Sequence, residues 1–194
     1  MLTESKITSP AFFEAWVAVS AERKAALLEK WVSYAQYTAE IFDGKESFVK
    51  AVAGKLVDAS RGLDVYCGYY SLDAVFFEET DRVHCAPDGQ NWFQNIRIAF
   101  EHENDFNDAL FQEVSHLMIT RADLRVLVSY PGNEVELTKQ LECFAEIIGR
   151  ANFAGADPAF LFIAGQRDSS LTNIVWRSYV YDGKEMIPLS KREV

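Results

Sequence analysis

The fold is decided by two stretches, DVYCGYYSLDAVFFEE at 64–79 and NIRIAFEHEN at 95–104. The first is rich in aromatic and β-branched residues and the second alternates apolar with polar side chains, so each predicts a β-strand. Between them lies Pro87-Asp88-Gly89, a strong turn signal. We therefore expect the two strands to form an antiparallel hairpin about Asp88.

Helical patterns precede this hairpin. Ser9-Pro10 is a helix start in which Ser caps the helix and Pro takes its first position. The segment from there to Phe42 favours one long helix, or two helices with a joint near Ser20. KESFVKAVAGKLVDASRG at 45–62 places apolar residues on one face and predicts a further helix.

Helices and strands alternate after the hairpin. The patterns predict a helix at 106–119, a strand at 124–130, a helix capped by Asn133, a strand at 159–165, and a closing hairpin with an exposed charged tail. Strand-helix-strand units demand parallel crossovers, so the chain is predicted to be α/β, with a mixed sheet and helices on both faces. We expect a single domain, residues 1–194, with a helical segment (1–44), an α/β core (45–181) and a closing hairpin and tail (182–194).

Composition excludes several classes of protein. Of 194 residues, 49% are hydrophobic and 25% charged, which is typical of a globular chain and excludes disordered and collagen-like classes. The longest apolar runs, such as AFLFIAG (159–165), are too short to span a membrane, and the N-terminus lacks a signal-peptide layout. We therefore expect no membrane partner and a cytoplasmic location. Cys67, Cys85 and Cys143 form no CxxC pair, which favours free thiols.

The net charge of −10 is concentrated in the middle of the chain. Residues 62–120 hold two basic residues, Arg82 and Arg97, against eleven acidic ones, and so carry −9 of the total. Like charges crowded in this way cost stability unless a cation or solvent screens them.

Three of these acids are predicted to meet on neighbouring strands. Glu101 and Glu103 are two residues apart on a strand and therefore share a face. A hairpin about Asp88 would pair residues whose numbers sum to about 176, which sets Asp73 opposite Glu103. Three converging carboxylates suit Mg²⁺ or Mn²⁺. The sequence therefore predicts a single-metal site formed by Asp73, Glu101 and Glu103.

These residues and this order of elements resemble the PD-(D/E)XK nuclease superfamily over residues 45–131. The resemblance implies a restriction-endonuclease-like core preceded by N-terminal helices, and divalent-metal-dependent phosphodiester hydrolysis. It also implies that two acids hold the metal, and that Glu103 stands where a water-activating Lys is usual. The matching residues are Asp73 in SLDAVFF, Glu101 and Glu103 in IAFEHEN, Glu46 on the preceding helix, and Gln112 with His116 in place of a Q-x-x-x-Y helix motif.

Each of these residues also has a structural explanation that needs no ligand. Glu101 and Glu103 could be the solvated end of a strand paired with Arg97, and Asp73 could be exposed by a turn or bulge at Ser71. Glu46 could be a first-turn helix residue, and Gln112 with His116 could be a surface pair.

The function therefore has two readings. One is a nuclease-like hydrolase, although a nucleic-acid partner is disfavoured by the net charge. Its basic frame would come from Lys45, Lys50, Lys55, Arg121 and Arg125. The other is a catalytically inactive relative that binds another protein through aromatic residues. These are Tyr66, Tyr69, Tyr70, Phe76, Phe77, Trp92 and Phe93. P-loop, G-x-G-x-x-G, G-x-S-x-G and H-E-x-x-H motifs are absent.

Overall fold

The computed structural model describes residues 7–56, 62–85, 90–103, 109–151 and 159–194. The helices within these ranges are α1 (Ser9–Glu22), α2 (Lys24–Lys30), α3 (Tyr34–Phe42), α4 (Phe48–Lys55), α5 (Ala109–Ile119) and α6 (Glu134–Arg150). The strands are β1 (Leu63–Tyr69), β2 (Leu72–Glu78), β3 (Ile98–Glu103), β4 (Leu124–Ser129), β5 (Phe160–Arg167), β6 (Ile174–Tyr181) and β7 (Met186–Glu193).

The seven strands form one mixed sheet in the order of the chain, β1 to β7. β1, β2 and β3 are antiparallel neighbours, β3, β4 and β5 run parallel, and β5, β6 and β7 are again antiparallel. The two parallel connections pass through α5 and α6, as crossover connections require. The predicted α/β class with a mixed sheet and flanking helices is confirmed.

Apolar cores cover both faces of the sheet. The N-terminal helices pack on one face and α5 with α6 pack on the other, so the central strands are buried on both sides. The first core includes Phe12, Trp16, Phe48, Phe100 and Trp176. The second core includes Val114, Leu117, Leu127, Phe144 and Phe162.

The helical start of the chain differs from the prediction. The N-terminal segment holds three helices, and Thr8 rather than Ser9 caps the first, its side chain accepting the N–H of Ala11 at 3.4 Å. The charged tail is exposed at Lys191, Arg192 and Glu193, as predicted, but it forms the end of β7 and pairs with β6. The cap of α6 is confirmed, since the Asn133 side chain accepts the N–H of Glu136 at 3.0 Å.

The predicted first strand is in fact a hairpin of β1 and β2. The chain reverses at Tyr70, which takes the left-handed conformation with φ of 53°. β2 and β3 are antiparallel as predicted, but Ala74 pairs with Phe100, so paired numbers sum to 174 and Asp73 falls opposite Glu101 rather than Glu103. A 3-10 turn, Glu79–Asp81, follows β2 directly. The turn at Asp88 lies outside the described residues.

Two further expectations concern the whole chain. The three cysteines are unpaired, as predicted. Among the helices that the structure describes, none has the length and apolar character needed to cross a membrane.

Candidate metal centre

Glu101 is a carboxylate buried between the sheet and α5. β3 alternates so that Phe100 faces the N-terminal helices while Ala99 faces the second core, and Glu101 follows Ala99 by two residues. Only 1% of its surface is exposed. The explanation of Glu101 as the solvated end of a strand is therefore wrong.

Asp73 and Glu101 extend the β2–β3 pairing through their side chains. Oε2 of Glu101 accepts the backbone N–H of Asp73 at 3.0 Å, and Oδ2 of Asp73 accepts the backbone N–H of His102 at 2.8 Å. Each carboxylate therefore binds the neighbouring strand at the position where a ladder hydrogen bond would come next. This arrangement fixes both acids side by side on rigid elements.

Two side chains of α5 complete the cluster. Val114 and Leu117 on α5 pack into the second core, which turns Glu113 and His116, one residue before each, toward β3. Nδ1 of His116 lies 3.3 Å from Oε2 of Glu113. One ligand atom each from Glu101, Glu113 and His116 lies within 4.8 Å of the other two. We call these three residues with Asp73 the acidic cluster.

The charges of the cluster disfavour one another. Burial, and then the Asp73 carboxylate, raise the pKa of Glu101 far above its ordinary value. Burial also raises the pKa of Asp73, although the hydrogen bond from His102 opposes this shift. The neighbouring imidazole of His102 has its pKa lowered to about 3 by burial, so it is neutral and offers no positive charge. In the absence of a bound cation, Glu101 is therefore protonated at neutral pH.

The cluster fits a divalent cation. Oε1 of Glu101 is buried and has no hydrogen-bond partner among the described residues. Three ligands bound about 2.0–2.3 Å from one ion lie about 3–4 Å from one another, so ligand atoms as far as 4.8 Å apart would have to move together by about 1 Å or more. A set of two carboxylates and an imidazole suits Mn²⁺ or Zn²⁺ better than Mg²⁺, which prefers oxygen ligands.

The structure places the remaining predicted residues as follows. Glu103 is half-buried at the end of β3, outside the group whose ligand atoms lie within 4.8 Å. Gln112 is exposed on α5, with its Nε2 3.5 Å from Nε2 of His116. Glu46 was expected on a helix but precedes α4, is exposed, and lies on the side of the sheet covered by the N-terminal helices. The structure thus does not bring Glu46 to the acidic cluster.

Arg97, the expected partner of Glu101 and Glu103, belongs to a different site. Its Nε and Nη2 contact both carboxylate oxygens of Asp81 at 2.7 and 2.9 Å, and Asp81 is 1% exposed. Glu78 and Asp123 also contact Arg97. Arg97 therefore neutralises acids at the opposite end of β3.

The predicted basic frame is also absent from the cluster. Arg125 is buried and donates to the carbonyl oxygens of Leu117 and Thr120 at the end of α5. Lys55 pairs with Glu22 on the opposite side of the sheet. Lys45 precedes α4 and Lys50 lies on it, also on that side. Arg121 precedes β4 at the end of the sheet distant from Glu103.

Glu113 is the cluster residue that sequence reasoning did not nominate. It lies between Arg97 and Arg121, in a segment that contains no Lys or Arg, and three residues before His116, which was a candidate. That spacing places both residues on one side of a helix and was the available signal. Comparisons with protein-family models, with curated proteins and with solved structures found no match to this chain.

Proposed function

We propose that this protein hydrolyses phosphodiesters with the help of a divalent metal held by the acidic cluster. The observation that carries the proposal is the Glu101 carboxylate, which is almost fully buried, has one unpartnered oxygen, and lies beside Glu113 and His116. A buried carboxylate without a compensating partner is costly, and such groups are concentrated at functional sites.

The order of elements supports the choice of reaction. A strand bearing Asp73 pairs antiparallel with a strand bearing Glu101 and Glu103, and α5 then leads to the parallel strand β4. This is the order on which the resemblance to PD-(D/E)XK nucleases rests. We assign Glu101, Glu113 and His116 as ligands and Asp73 as the residue that orients Glu101.

Glu103 has a separate role in this proposal. It stands two residues after Glu101, where the superfamily usually has Lys, and its carboxylate would accept the proton of the attacking water. A metal bound at the cluster supplies Lewis-acid stabilisation of the phosphoryl oxygens. Cytoplasmic location, expected from the sequence, remains part of the proposal and agrees with the three unpaired cysteines.

Hydrolysis of bis(p-nitrophenyl) phosphate and of single- and double-stranded DNA and RNA tests the proposal. Activity should require Mn²⁺, Zn²⁺ or Mg²⁺ and should fall at least 100-fold in Glu101→Gln, while Glu146→Gln, an exposed change on α6, leaves it intact. If no ester is cleaved with any of the three ions, the proposal fails.

In that case the alternative is a binding module without activity. The observation that favours it is the exposure of two aromatic side chains near the β1–β2 turn, since Tyr70 is 87% and Trp92 49% exposed. Phe76 and Phe77, also expected to offer aromatic surface, are buried in the structure.

A further inference from the structure

An aromatic cleft lies beside the acidic cluster on the neighbouring edge strand. It has a volume of about 310 Å³. Cavities of this size are at the lower end of those that bind small molecules. Its lining consists of Tyr66, Gly68, Tyr69, Tyr70, Gln90, Asn91 and Trp92. We call it the tyrosine cleft.

The sheet register places the tyrosine cleft next to Asp73. Cys67 pairs with Ala74 and Tyr69 pairs with Leu72, so Gly68 of β1 lies opposite Asp73 of β2. Gly68 has no side chain to fill the space there, and its φ of 72° is one that L side chains rarely adopt. Two strand spacings, about 10 Å in total, separate β1 from β3, the strand that carries Glu101.

The cleft presents aromatic rings and neutral polar groups. The Tyr69 ring lies 4.8 Å from that of Tyr70 and 5.0 Å from that of Phe93, both edge-on, so it is held in place while Tyr70 remains exposed. Flat rings of this kind stack on nucleobases, and amide side chains such as Gln90 can bond to the edges of a base.

We propose that the tyrosine cleft binds the nucleobase of a small phosphodiester whose phosphate occupies the acidic cluster. This inference rests on the proposed function and names its substrate class, a nucleotide ester rather than a duplex. A duplex needs many phosphate contacts from Lys and Arg, and the five basic residues expected to frame the cluster lie elsewhere. A single base and phosphate require only the metal and a stacking surface.

Calorimetry of the binding of adenosine monophosphate and of ribose 5-phosphate in the presence of Mn²⁺ tests this inference, because the two share the ribose and the phosphate and the second has a hydroxyl in place of the base. The nucleotide should bind about 10-fold tighter or better. Tyr70→Ala should remove this difference without changing the affinity for ribose 5-phosphate. Tyr34→Ala, a change at an exposed tyrosine at the start of α3, is the matched control.

The outcomes separate the two proposals. Equal affinity for both compounds would contradict base binding in the tyrosine cleft. A preference for the nucleotide that persists in both Tyr70→Ala and Trp92→Ala would contradict it as well. Neither result would bear on the proposed metal site. Failure of Mn²⁺ itself to bind in the same calorimeter overturns the proposed function. If Tyr70→Ala abolishes the preference for the nucleotide, the base binds in the tyrosine cleft. If nucleotide binding also depends on Mn²⁺, the phosphate binds at the acidic cluster.

Discussion

Replacing Glu101 by Gln should stabilise the metal-free protein, although the residue is buried in the core. At pH 7 the folded protein holds Glu101 protonated, whereas the unfolded chain ionises it with a pKa near 4.5. Each pKa unit is worth about 1.4 kcal/mol, so keeping this proton costs roughly 3 kcal/mol of the free energy of unfolding. Gln is neutral and has nearly the same shape, so it avoids that cost.

The same substitution should abolish stabilisation by metal. An ion that binds only the folded chain raises the free energy of unfolding by about 2.7 kcal/mol at 100 times its Kd. For a chain of this length that is a rise of about 5–11 °C in Tm. Gln cannot supply the anionic ligand, and Asp73→Asn should weaken the response for the same electrostatic reason.

Thermal melts with Mn²⁺, Zn²⁺ and Mg²⁺, each against a chelator, measure both effects. The expected pattern is a higher Tm for metal-free Glu101→Gln than for the unmodified protein, with no further rise on adding metal. Glu146→Gln should behave as the unmodified protein does. An equal metal response in Glu101→Gln would show that any ion binds elsewhere, and a lower metal-free Tm would show that the Glu101 carboxylate is structural.

Two further predictions concern pH and a second buried acid. Because the pKa of Glu101 is raised in the folded state, this residue should contribute a loss of stability of the metal-free protein as pH rises above about 4.5, by up to about 1.4 kcal/mol per pH unit, until the folded-state pKa is reached. Urea unfolding measures this, and an equal slope in Glu101→Gln would contradict it. Asp81→Asn should cost about 3 kcal/mol or more in the same assay because it leaves Arg97 without its principal partner. The exposed Glu79→Gln should change stability by less than about 0.5 kcal/mol, and equal effects of the two variants would contradict this account.

Much of the fold could be predicted because its patterns are local. The alternation in β3 and the Asn133 cap of α6 each depend on residues within a few positions of one another. A turn at Ser71 was only an alternative from the sequence, because the aromatic and β-branched residues around Tyr70 favour a continuous strand. The left-handed backbone at Tyr70 is held by the pairing of the strands on either side.

The candidate site was only partly predictable for a related reason. Glu101 could be nominated because strand alternation assigns its face. The β2–β3 register depends on a connection of 19 residues between Glu78 and Ile98, and turn chemistry alone does not determine such a register. Which side chains of α5 face Glu101 depends on the rotation of that helix over the second core, and this rotation brought Glu113 into the cluster.

The acidic side chains of the middle segment form two groups at the two ends of β3, and the negative charge of each group is balanced in a different way. At the start of β3, Arg97 neutralises Asp81, Glu78 and Asp123. At the end of β3, no Lys or Arg of the described residues forms an ion pair with Glu101, Asp73 or Glu113, and Nδ1 of His116 lies 3.3 Å from Oε2 of Glu113. Buried carboxylates in that position must bind either a proton or a cation. A divalent ion that binds there, as we propose, has to displace the proton of Glu101, so metal affinity should increase as pH rises toward the folded-state pKa of that group.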